Sequence, residues 1–286
     1  MHTHVETRAA RSKAEEAALI DLVRTSFRRV DRAKYPELAA YSWDEIYGHG
    51  DNMAPGALFL ATQMARALDA APDQLVLDLG CGKGDSSIFL ANTFGLRVVA
   101  ADLWVSPALL QKKFESQGCC NGTTAVRLDV RLGLPFEAGR FDAIFCMQAL
   151  HSFGGSAGFI RRLLRCLKPG GRIVVASSCF TEERPFEELP ALYHRTDGWD
   201  AEYRNYHSPG WWRHLFEATG DVDVVECAEL ADGPMYWEDD FLYRGESRGW
   251  DAANFKDALW LIEHILHGRS QQPYLTHYMA TLQKPG

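Results

Sequence analysis

Short apolar runs alternate with helix-like segments between residues 73 and 182, and this alternation restricts the fold of the 286-residue chain more than any other feature. The apolar runs lie at 75–80, 96–103, 124–130, 141–150 and 172–179. The helix-like segments lie between them at 86–95, 107–116 and 158–171. Strands and helices that alternate at this pitch form βαβ units, and nearly continuous apolar strands are covered on both faces. We therefore predict an α/β fold with a parallel sheet.

The segments on either side of this alternation predict further elements. Before residue 73, the spacing of apolar residues indicates helices at 13–30 and 57–69, separated by a loop at 47–56. After residue 182, we expect a helix at 209–220, strands at 221–230 and 274–284, and a helix at 251–267 inside a long insertion. We divide the chain into N-terminal helices with an entry loop (1–72), a core (73–182), and a C-terminal part (183–286) that holds cap elements, a lid insertion at 231–273 and the final strands.

Charge and cysteine content narrow the class of protein. The chain has 30 basic and 38 acidic side chains and a net charge of −8, which disfavours nucleic acids and anionic membranes as partners. The seven cysteines show no C-x-x-C spacing, so we expect free thiols in a reducing compartment and no metal site. The N-terminus lacks the apolar core of a secretory signal, and no apolar run has the length of a membrane span. We expect a cytoplasmic enzyme, with its oligomeric state open between monomer and homodimer.

A glycine-rich segment follows the first apolar run. Gly80, Gly82 and Gly84 stand at alternate positions, so the backbone can turn sharply and approach a ligand without a Cβ in the way. The amide groups at the start of the next helix favour a negatively charged group. The spacing G-x-G-x-G differs from the G-x-G-x-x-G of dinucleotide binders. Asp78, two residues before the first glycine, would repel a pyrophosphate but suits a ligand with an ammonium group.

Two further carboxylates follow the next two strands. Asp102 ends the second apolar run, 24 residues after Asp78. An acid at this place in a βαβ unit accepts hydrogen bonds from ribose hydroxyls. Asp129 lies near the end of the third run, where it could accept a hydrogen bond from an adenine amine. The three carboxylates together predict a site for a ligand that carries an ammonium group, a ribose and an adenine.

These residues resemble the class I S-adenosylmethionine-dependent methyltransferases. The resemblance rests on VLDLGCGKG, then Asp102, then RLDVRLGLPFEAGRFDAIFCMQALHSF and LLRCLKPGGRIVVAS, in the order expected of that family. It covers roughly residues 73–182 and the final strands. It implies a Rossmann-like sheet of seven strands, mostly parallel with the last strand antiparallel, with helices on both faces and an α-helical cap. It also implies an enzyme that uses S-adenosyl-L-methionine.

The resemblance assigns cofactor contacts to residues at the ends of the first four strands. They are Asp78, Gly80, Cys81 and Gly82 at the amino-acid end, Asp102 at the ribose, Leu103, Asp129 and Val130 at the adenine, and Met147 beside them. Leu103 and Met147 are also consistent with plain core packing.

The segment YGHGDNMAPGALFLATQMA (47–65) is similar to the entry loop and helix of small-molecule methyltransferases such as the phosphoethanolamine and sarcosine N-methyltransferases. In several of these a tyrosine from this region and a histidine after the fourth strand meet at the methyl acceptor. The resemblance implies that this tyrosine is Tyr47, with Tyr35 and Tyr41 as alternatives. It implies that the histidine is His151, as general base or as the residue that orients the acceptor. The alternative is that His151 has only a structural role. Further candidates for substrate contact are His49, Tyr206, His207 and Trp211.

Two residue classes in the C-terminal part remain open to two interpretations. The acidic pairs at 182–183 and 187–188 and the triplet Glu238-Asp239-Asp240 either attract a cationic acceptor or form solvated faces. Six of the eight tryptophans lie beyond residue 198 and either roof the acceptor site or pack in a core.

The function we expect is methylation of a small-molecule acceptor, at nitrogen or oxygen in preference to carbon. The alternatives are chemistry other than methyl transfer on the same fold, such as cyclisation, and a protein that senses the cofactor without catalysis.

Overall fold

A seven-stranded sheet forms the centre of the molecule. The computed structural model describes residues 12–48, 56–189, 203–250 and 274–286. The strands are β1 Leu75–Leu79, β2 Arg97–Asp102, β3 Thr123–Arg127, β4 Phe141–Met147, β5 Leu167–Phe180, β6 Asp223–Glu229 and β7 Leu275–Gln283. Their order is β3-β2-β1-β4-β5-β7-β6, and β7 runs antiparallel to both of its neighbours while the other neighbouring strands are parallel. The Rossmann-like sheet implied by the family resemblance is confirmed.

Helices cover both faces of this sheet. They are α1 Lys13–Ser26, α2 Trp43–Ile46, α3 Ala57–Leu68, α4 Asp85–Phe94, α5 Pro107–Ser116, α6 Leu150–Phe153, α7 Ala157–Cys166, α8 Pro209–Glu217 and α9 Gly233–Arg248. One apolar core lies between the sheet and α3, α4 and α9, and a second lies between the sheet and α7 and α8. Helix α7 shows why such segments are helical: Phe159, Ile160, Leu163 and Leu164 are spaced to bury one face. No helix in the described ranges has the length and apolarity to span a bilayer.

The order of the strands opens a cleft at one edge of the sheet. From β1 the chain passes through α4 to β2 on one side, whereas from β4 it passes through α7 to β5 on the other side. The two connections leave the neighbouring strands β1 and β4 in opposite directions. A gap therefore opens at the carboxyl ends of these strands, which is where open α/β sheets bind ligands.

Several element boundaries differ from the sequence-based expectation, and three of them concern strands of the sheet. The fourth strand was expected to continue to residue 150, but it ends at Met147 because Gln148 has a φ of +52°. The segment 158–171 was expected to be helical throughout, but its last residues extend β5 through a bridge between Phe141 and Leu167. The third strand ends at Arg127, and a 3₁₀ turn begins at Val130.

The insertion before β7 begins with a helix that the sequence analysis did not identify. Residues 233–248 form α9, whereas the helix expected at 251–267 lies outside the described residues. Helix α9 packs against α1 through Phe241 and Leu242 on one side and Ile20, Val23 and Phe27 on the other. The insertion therefore ties the N-terminal segment to the body of the protein.

The acidic triplet of α9 is buried, so both sequence-based interpretations of it were wrong. Glu238 and Asp239 are 0% exposed and Asp240 is 4% exposed. Glu238 accepts hydrogen bonds from the Arg28 guanidinium and backbone N–H at 2.8–3.0 Å. Asp239 accepts them from Arg29 and from the backbone N–H of Val30, both at 3.0 Å. These carboxylates hold the N-terminal segment rather than facing solvent or substrate. The pairs at 182–183 and 187–188 are exposed.

We predict that Asp239→Ala lowers the free energy of unfolding by about 2 kcal/mol, because it leaves the buried Val30 N–H and the Arg29 guanidinium without their acceptor. The matched control is Glu246→Ala, which removes the exposed second partner of Arg29 and should cost less than about 1 kcal/mol. Urea unfolding of both variants measures the difference. Equal losses would show that Asp239 does not anchor the N-terminal segment.

Candidate active site

A cavity of about 650 Å³ lies at the carboxyl ends of β1, β2 and β4, where the topology opens the cleft. Its volume falls within the range of small-molecule sites, about 300–1,000 Å³. Residues from the sequence-based sets that line it are Gly80, Cys81, Gly82, Asp102, Leu103, Asp129, Val130, Met147, His151 and Tyr206. Asp78, Tyr47, His207 and Trp211 do not line it, and His49 lies outside the described residues.

The turn after β1 needs glycine at two positions for different reasons. Gly80 has a φ of +78°, and a Cβ there would stand 2.4 Å from the Cβ of Ala149. Gly82 has a φ of +52° but no atom within 4 Å of its would-be Cβ, and it lines the cavity. Gly80 therefore permits close packing of the turn against the segment after β4, whereas Gly82 keeps space free for a ligand.

Asp78 lies behind this turn rather than in the cavity wall. It is 1% exposed, and its Oδ2 accepts hydrogen bonds from the hydroxyls of Ser86 and Ser87, both at 2.6 Å. Burial raises the pKa of Asp78 to about 6, although the two hydroxyls act in the opposite direction. In the described residues Asp78 joins the end of β1 to the first turn of α4. Its assigned contact with an ammonium group stays a prediction.

Asp102 connects the second strand to the glycine-rich turn. Its Oδ2 accepts the N–H of Gly82 at 3.0 Å, and its Oδ1 accepts the N–H groups of Trp104 and Val105 at 2.7 and 3.0 Å. A carboxylate offers about four acceptor positions, so capacity remains for a ligand hydroxyl. The carboxylate thus orients the turn and also faces the cavity.

Asp129 and Arg131 form the wall at the third strand. Asp129 accepts hydrogen bonds from the Arg131 backbone N–H and guanidinium at 2.6–3.0 Å, and the guanidinium holds the pKa of the carboxyl below its usual value. Val130, which follows, is buried at the start of the 3₁₀ turn. This side of the cavity also carries Trp104, which is 84% exposed.

Two consecutive serines of β5 hold the two polar residues that follow β4. Ser177 Oγ shares a hydrogen bond with Nδ1 of His151 at 2.8 Å. Ser178 donates its backbone N–H and its hydroxyl to Oε1 of Gln148 at 2.9 and 3.2 Å. His151 is 6% exposed, and burial lowers its pKa to about 4. The imidazole is therefore neutral at physiological pH and able to accept a proton.

Tyr206 is the substrate-contact candidate that the structure brings to His151. The two rings meet edge to face with their centroids 5.0 Å apart, and both line the cavity. Tyr206 packs in a cluster with Phe180 and Tyr203. Of the tryptophans considered for a roof, Trp237 lines the cavity, Trp212 is buried in the second core, and Trp250 packs against α1.

The remaining candidates lie elsewhere. Tyr47 is 1% exposed, stacks on Tyr243 at 4.4 Å and faces Asp239, so that burial and this carboxylate raise its pKa far above its ordinary value. His207 is hydrogen-bonded to Glu183 at 2.8 Å and stacks on Trp211 at 3.6 Å. The structure does not bring Tyr47 together with His151 in one cavity. The roles assigned to Tyr47, His207 and Trp211 stay predictions.

The lining residues that the sequence analysis missed include Gln148, Ser178 and Trp104. Gln148 was detectable as a polar residue that interrupts an apolar run, but its positive φ and its partner on β5 are tertiary features. Over the four described ranges, no group of three or more histidine, cysteine, aspartate or glutamate side chains is arranged to hold a metal ion.

Comparison with known proteins identifies one domain of the chain. Residues 76–171 match the family described as a methyltransferase domain. A phosphoethanolamine N-methyltransferase of Triticum aestivum is 24% identical over 200 residues, which are 69% of this chain and 37% of the relative. The chain thus spans little more than a third of the length of the first curated relatives it matches.

Solved structures agree on the fold. Phosphoethanolamine N-methyltransferase 2 of Haemonchus contortus, solved with S-adenosyl-L-methionine, aligns with a TM-score of 0.68 and 18% identity over 94% of this chain and 60% of that one. The [4+2]-cyclase SpnF aligns with a TM-score of 0.59 and 20% identity over 82% and 84%. The sheet order and these alignments show that the chain shares the fold of these two solved structures, and residues 76–171 match a methyltransferase domain.

Substitution of Gly80 and of Gly82 distinguishes a glycine needed for packing from a glycine that leaves space for a ligand. We predict that Gly82→Ala weakens binding of S-adenosylhomocysteine at least about tenfold and lowers stability only by the left-handed strain of about 1–2 kcal/mol, because its Cβ enters the cavity. Gly80→Ala, the matched variant, should be less stable than Gly82→Ala because its Cβ overlaps Ala149. Calorimetry and urea unfolding measure the two effects. Tight binding by Gly82→Ala would place the ligand elsewhere.

Proposed function

We propose that this protein transfers a methyl group from S-adenosyl-L-methionine to a nitrogen or oxygen atom of a small-molecule acceptor. The observation that carries the proposal is that the glycine-rich turn, the carboxylates of Asp102 and Asp129, and His151 all line the same cavity. The net charge of −8 supports a small-molecule acceptor over nucleic acid. The relatives named as methyltransferases act on small molecules, which supports the same class here.

The cavity fits this cofactor at its β1–β3 side. Gly82 leaves its would-be Cβ position empty toward the cavity, and Asp102 retains acceptor capacity after bonding its own loop. When bound, the cofactor supplies an electrophilic methyl group on a positively charged sulfur. Asp102 would bind the ribose, Asp129 and Val130 the adenine, and Gly80 to Gly82 the amino-acid end. Most of the catalytic effect then comes from the chain holding the acceptor close and in line.

His151 would act on the acceptor. The Ser177 hydrogen bond fixes the imidazole through Nδ1, and among the described residues Nε2 has no hydrogen-bond partner. A neutral imidazole held in this way is able to orient a hydroxyl or amine group of the acceptor through Nε2 and to assist the loss of its proton. General-base assistance of this kind contributes about 10²–10⁴-fold.

The cap would close the acceptor side. Trp237 of α9 reaches the cavity wall, and the next residue, Glu238, is bound by Arg28. The N-terminal segment therefore holds the helix that carries this wall residue. We propose that segments 1–72 and 231–273 form a cap that excludes water from the acceptor.

Product analysis tests the proposal. Purified protein with methyl-labelled S-adenosyl-L-methionine and a panel of amines, phenols and hydroxy acids should yield S-adenosylhomocysteine and methylated product in a ratio of about one, because each transfer releases one molecule of each. Turnover that needs the cofactor but yields no S-adenosylhomocysteine would favour chemistry of the cyclase type. Cofactor binding without turnover on any acceptor would favour a sensor.

A second prediction concerns His151. His151→Ala should lower kcat about 10²- to 10⁴-fold while the affinity for S-adenosylhomocysteine changes less than about twofold. Because burial lowers the pKa of His151 to about 4, the ratio of wild-type kcat to His151→Ala kcat should stay level from pH 8 down to pH 5, where a histidine of ordinary pKa 6.5 would already be protonated. The ratio cancels the titration of Asp78, whose pKa is about 6. The matched control is Tyr206→Phe, which removes only a hydroxyl and keeps the aromatic ring beside His151. Undiminished turnover in His151→Ala would leave this histidine a structural role.

A further inference from the structure

Glu183, which follows β5, holds the start of α8 with both of its carboxylate oxygens. Its Oε1 shares a hydrogen bond with Nδ1 of His207 at 2.8 Å, and its Oε2 accepts the backbone N–H of Ser208 at 2.8 Å. Ser208 is the N-cap residue of α8, and its hydroxyl accepts the N–H of Trp211. One carboxylate therefore fixes both the imidazole of His207 and the first turn of the helix.

The carboxylate also determines which nitrogen of His207 carries the proton. Burial raises the pKa of Glu183, but the hydrogen bonds from His207 and Ser208 outweigh burial and hold this pKa below its usual value. Glu183 is thus ionised at neutral pH, and an ionised carboxylate only accepts hydrogen bonds. Nδ1 of His207 is therefore protonated, and the hydrogen bond that it donates sets the orientation of the ring.

The imidazole of His207 lies flat on the indole of Trp211. The two ring centroids are 3.6 Å apart and the ring planes differ by 10°. The far edge of the indole fills the place of a side chain at Gly155, where a Cβ would lie 2.3 Å from Cη2 of Trp211. Gly155 belongs to the loop after α6, and α6 carries three residues that line the cavity, which are His151, Ser152 and Phe153. The stack of His207 on Trp211 therefore supports the loop that follows His151.

The residue before His207 reaches His151 directly. Tyr206 lines the cavity, and its ring meets that of His151 edge to face with the centroids 5.0 Å apart. Because Tyr206 and His207 are consecutive, the hydrogen bond from His207 to Glu183 restricts the movement of both. Two routes thus connect Glu183 to His151, one through Tyr206 and the other through the Trp211 stack.

We propose that His207 is a positioning residue that holds the acceptor side of the cavity around His151. Its hydrogen bond to Glu183 keeps Tyr206 in place, and its stack on Trp211 keeps the loop after α6 in place. His207 does not line the cavity, so it acts through these neighbours. This inference rests on the proposed role of His151 in methyl transfer.

Histidine NMR tests the inference without an acceptor. In protein with labelled histidine rings, the His151 signal is the one that disappears in His151→Ala. At pH 5 His151 should be about one tenth protonated in the wild type, because burial lowers its pKa to about 4. His207→Ala should raise this pKa by about one pH unit and the protonated fraction to about half, because a displaced Tyr206 admits water to the imidazole. An unchanged His151 signal in folded His207→Ala would overturn the inference.

Two further variants separate the hydrogen bond from general damage to α8. His207→Asn keeps an N–H for Glu183 but loses the ring, so its protonated fraction of His151 should lie between those of the wild type and His207→Ala. Glu217→Ala, the matched control, removes an exposed partner of Arg213 on the same helix and should leave the His151 signal unchanged. An equal change in Glu217→Ala would show that any disturbance of α8 reaches His151, and would overturn the assignment to His207.

Two glycine variants test the route through Trp211. Gly155→Ala places a Cβ inside the indole and should raise the protonated fraction of His151 at pH 5 as His207→Ala does. Gly158→Ala, the matched control three residues later, adds a Cβ with no contact closer than 3.5 Å and should change nothing. A wild-type His151 signal in Gly155→Ala would overturn the part assigned to the stack.

Cofactor affinity separates this inference from the proposed function. Each of these variants should bind S-adenosylhomocysteine within about twofold of the wild type, because the cofactor contacts are proposed at the β1–β3 side. With an acceptor identified by product analysis, His207→Ala should lower kcat about 10- to 100-fold, as expected for a displaced reacting group. A loss confined to cofactor affinity would overturn the positioning role. Failure of the wild type to bind S-adenosylhomocysteine would overturn the methyl transfer and leave the NMR result as it stands.

Discussion

The divergence of the chain at β1 and β4 is the constraint on which the rest of the structure depends. Parallel strands require crossover connections, and the crossovers from these two neighbours pack on opposite sides. No connection can then cover the carboxyl ends between them, so the cleft is a consequence of topology. The residues just beyond these ends, Gly80 after β1 and Ala149 after β4, are brought against each other because their strands are hydrogen-bonded neighbours.

The same topology places charged and neutral side chains on different sides of the cavity. Turns after β1, β2 and β3 supply the carboxylates and cations, whereas the segments from β4 onward supply neutral donors. A cofactor with ammonium, ribose and adenine groups suits the first side. On the second side, burial keeps the imidazole of His151 neutral. The two sides of the cavity therefore differ in charge.

Much of the fold and part of the site could be read from residues in order along the chain. Apolar runs predicted every strand, and the glycine-rich turn with Asp102 and Asp129 predicted residues that line the cavity, because these signals are local. Prediction failed where a distant partner decides the outcome. Glu238 and Asp239 look like part of a solvated cluster, but Arg28 and Arg29, about 210 residues earlier, allow their burial. Tyr47, which the resemblance pairs with His151, stacks on Tyr243 outside the cavity, and its assigned role stays a prediction.

The sequence by itself determined the alternation of strands and helices, the turn that approaches a ligand, and the candidate carboxylates, because periodicity and glycine act over a few residues. Only the tertiary structure decided which polar groups meet. Consecutive serines of β5 hold His151 and Gln148 because β4 and β5 are neighbours in register. Burial then sets the protonation of the histidine and leaves the amide donor unpaired, and neither property exists until the sheet has formed.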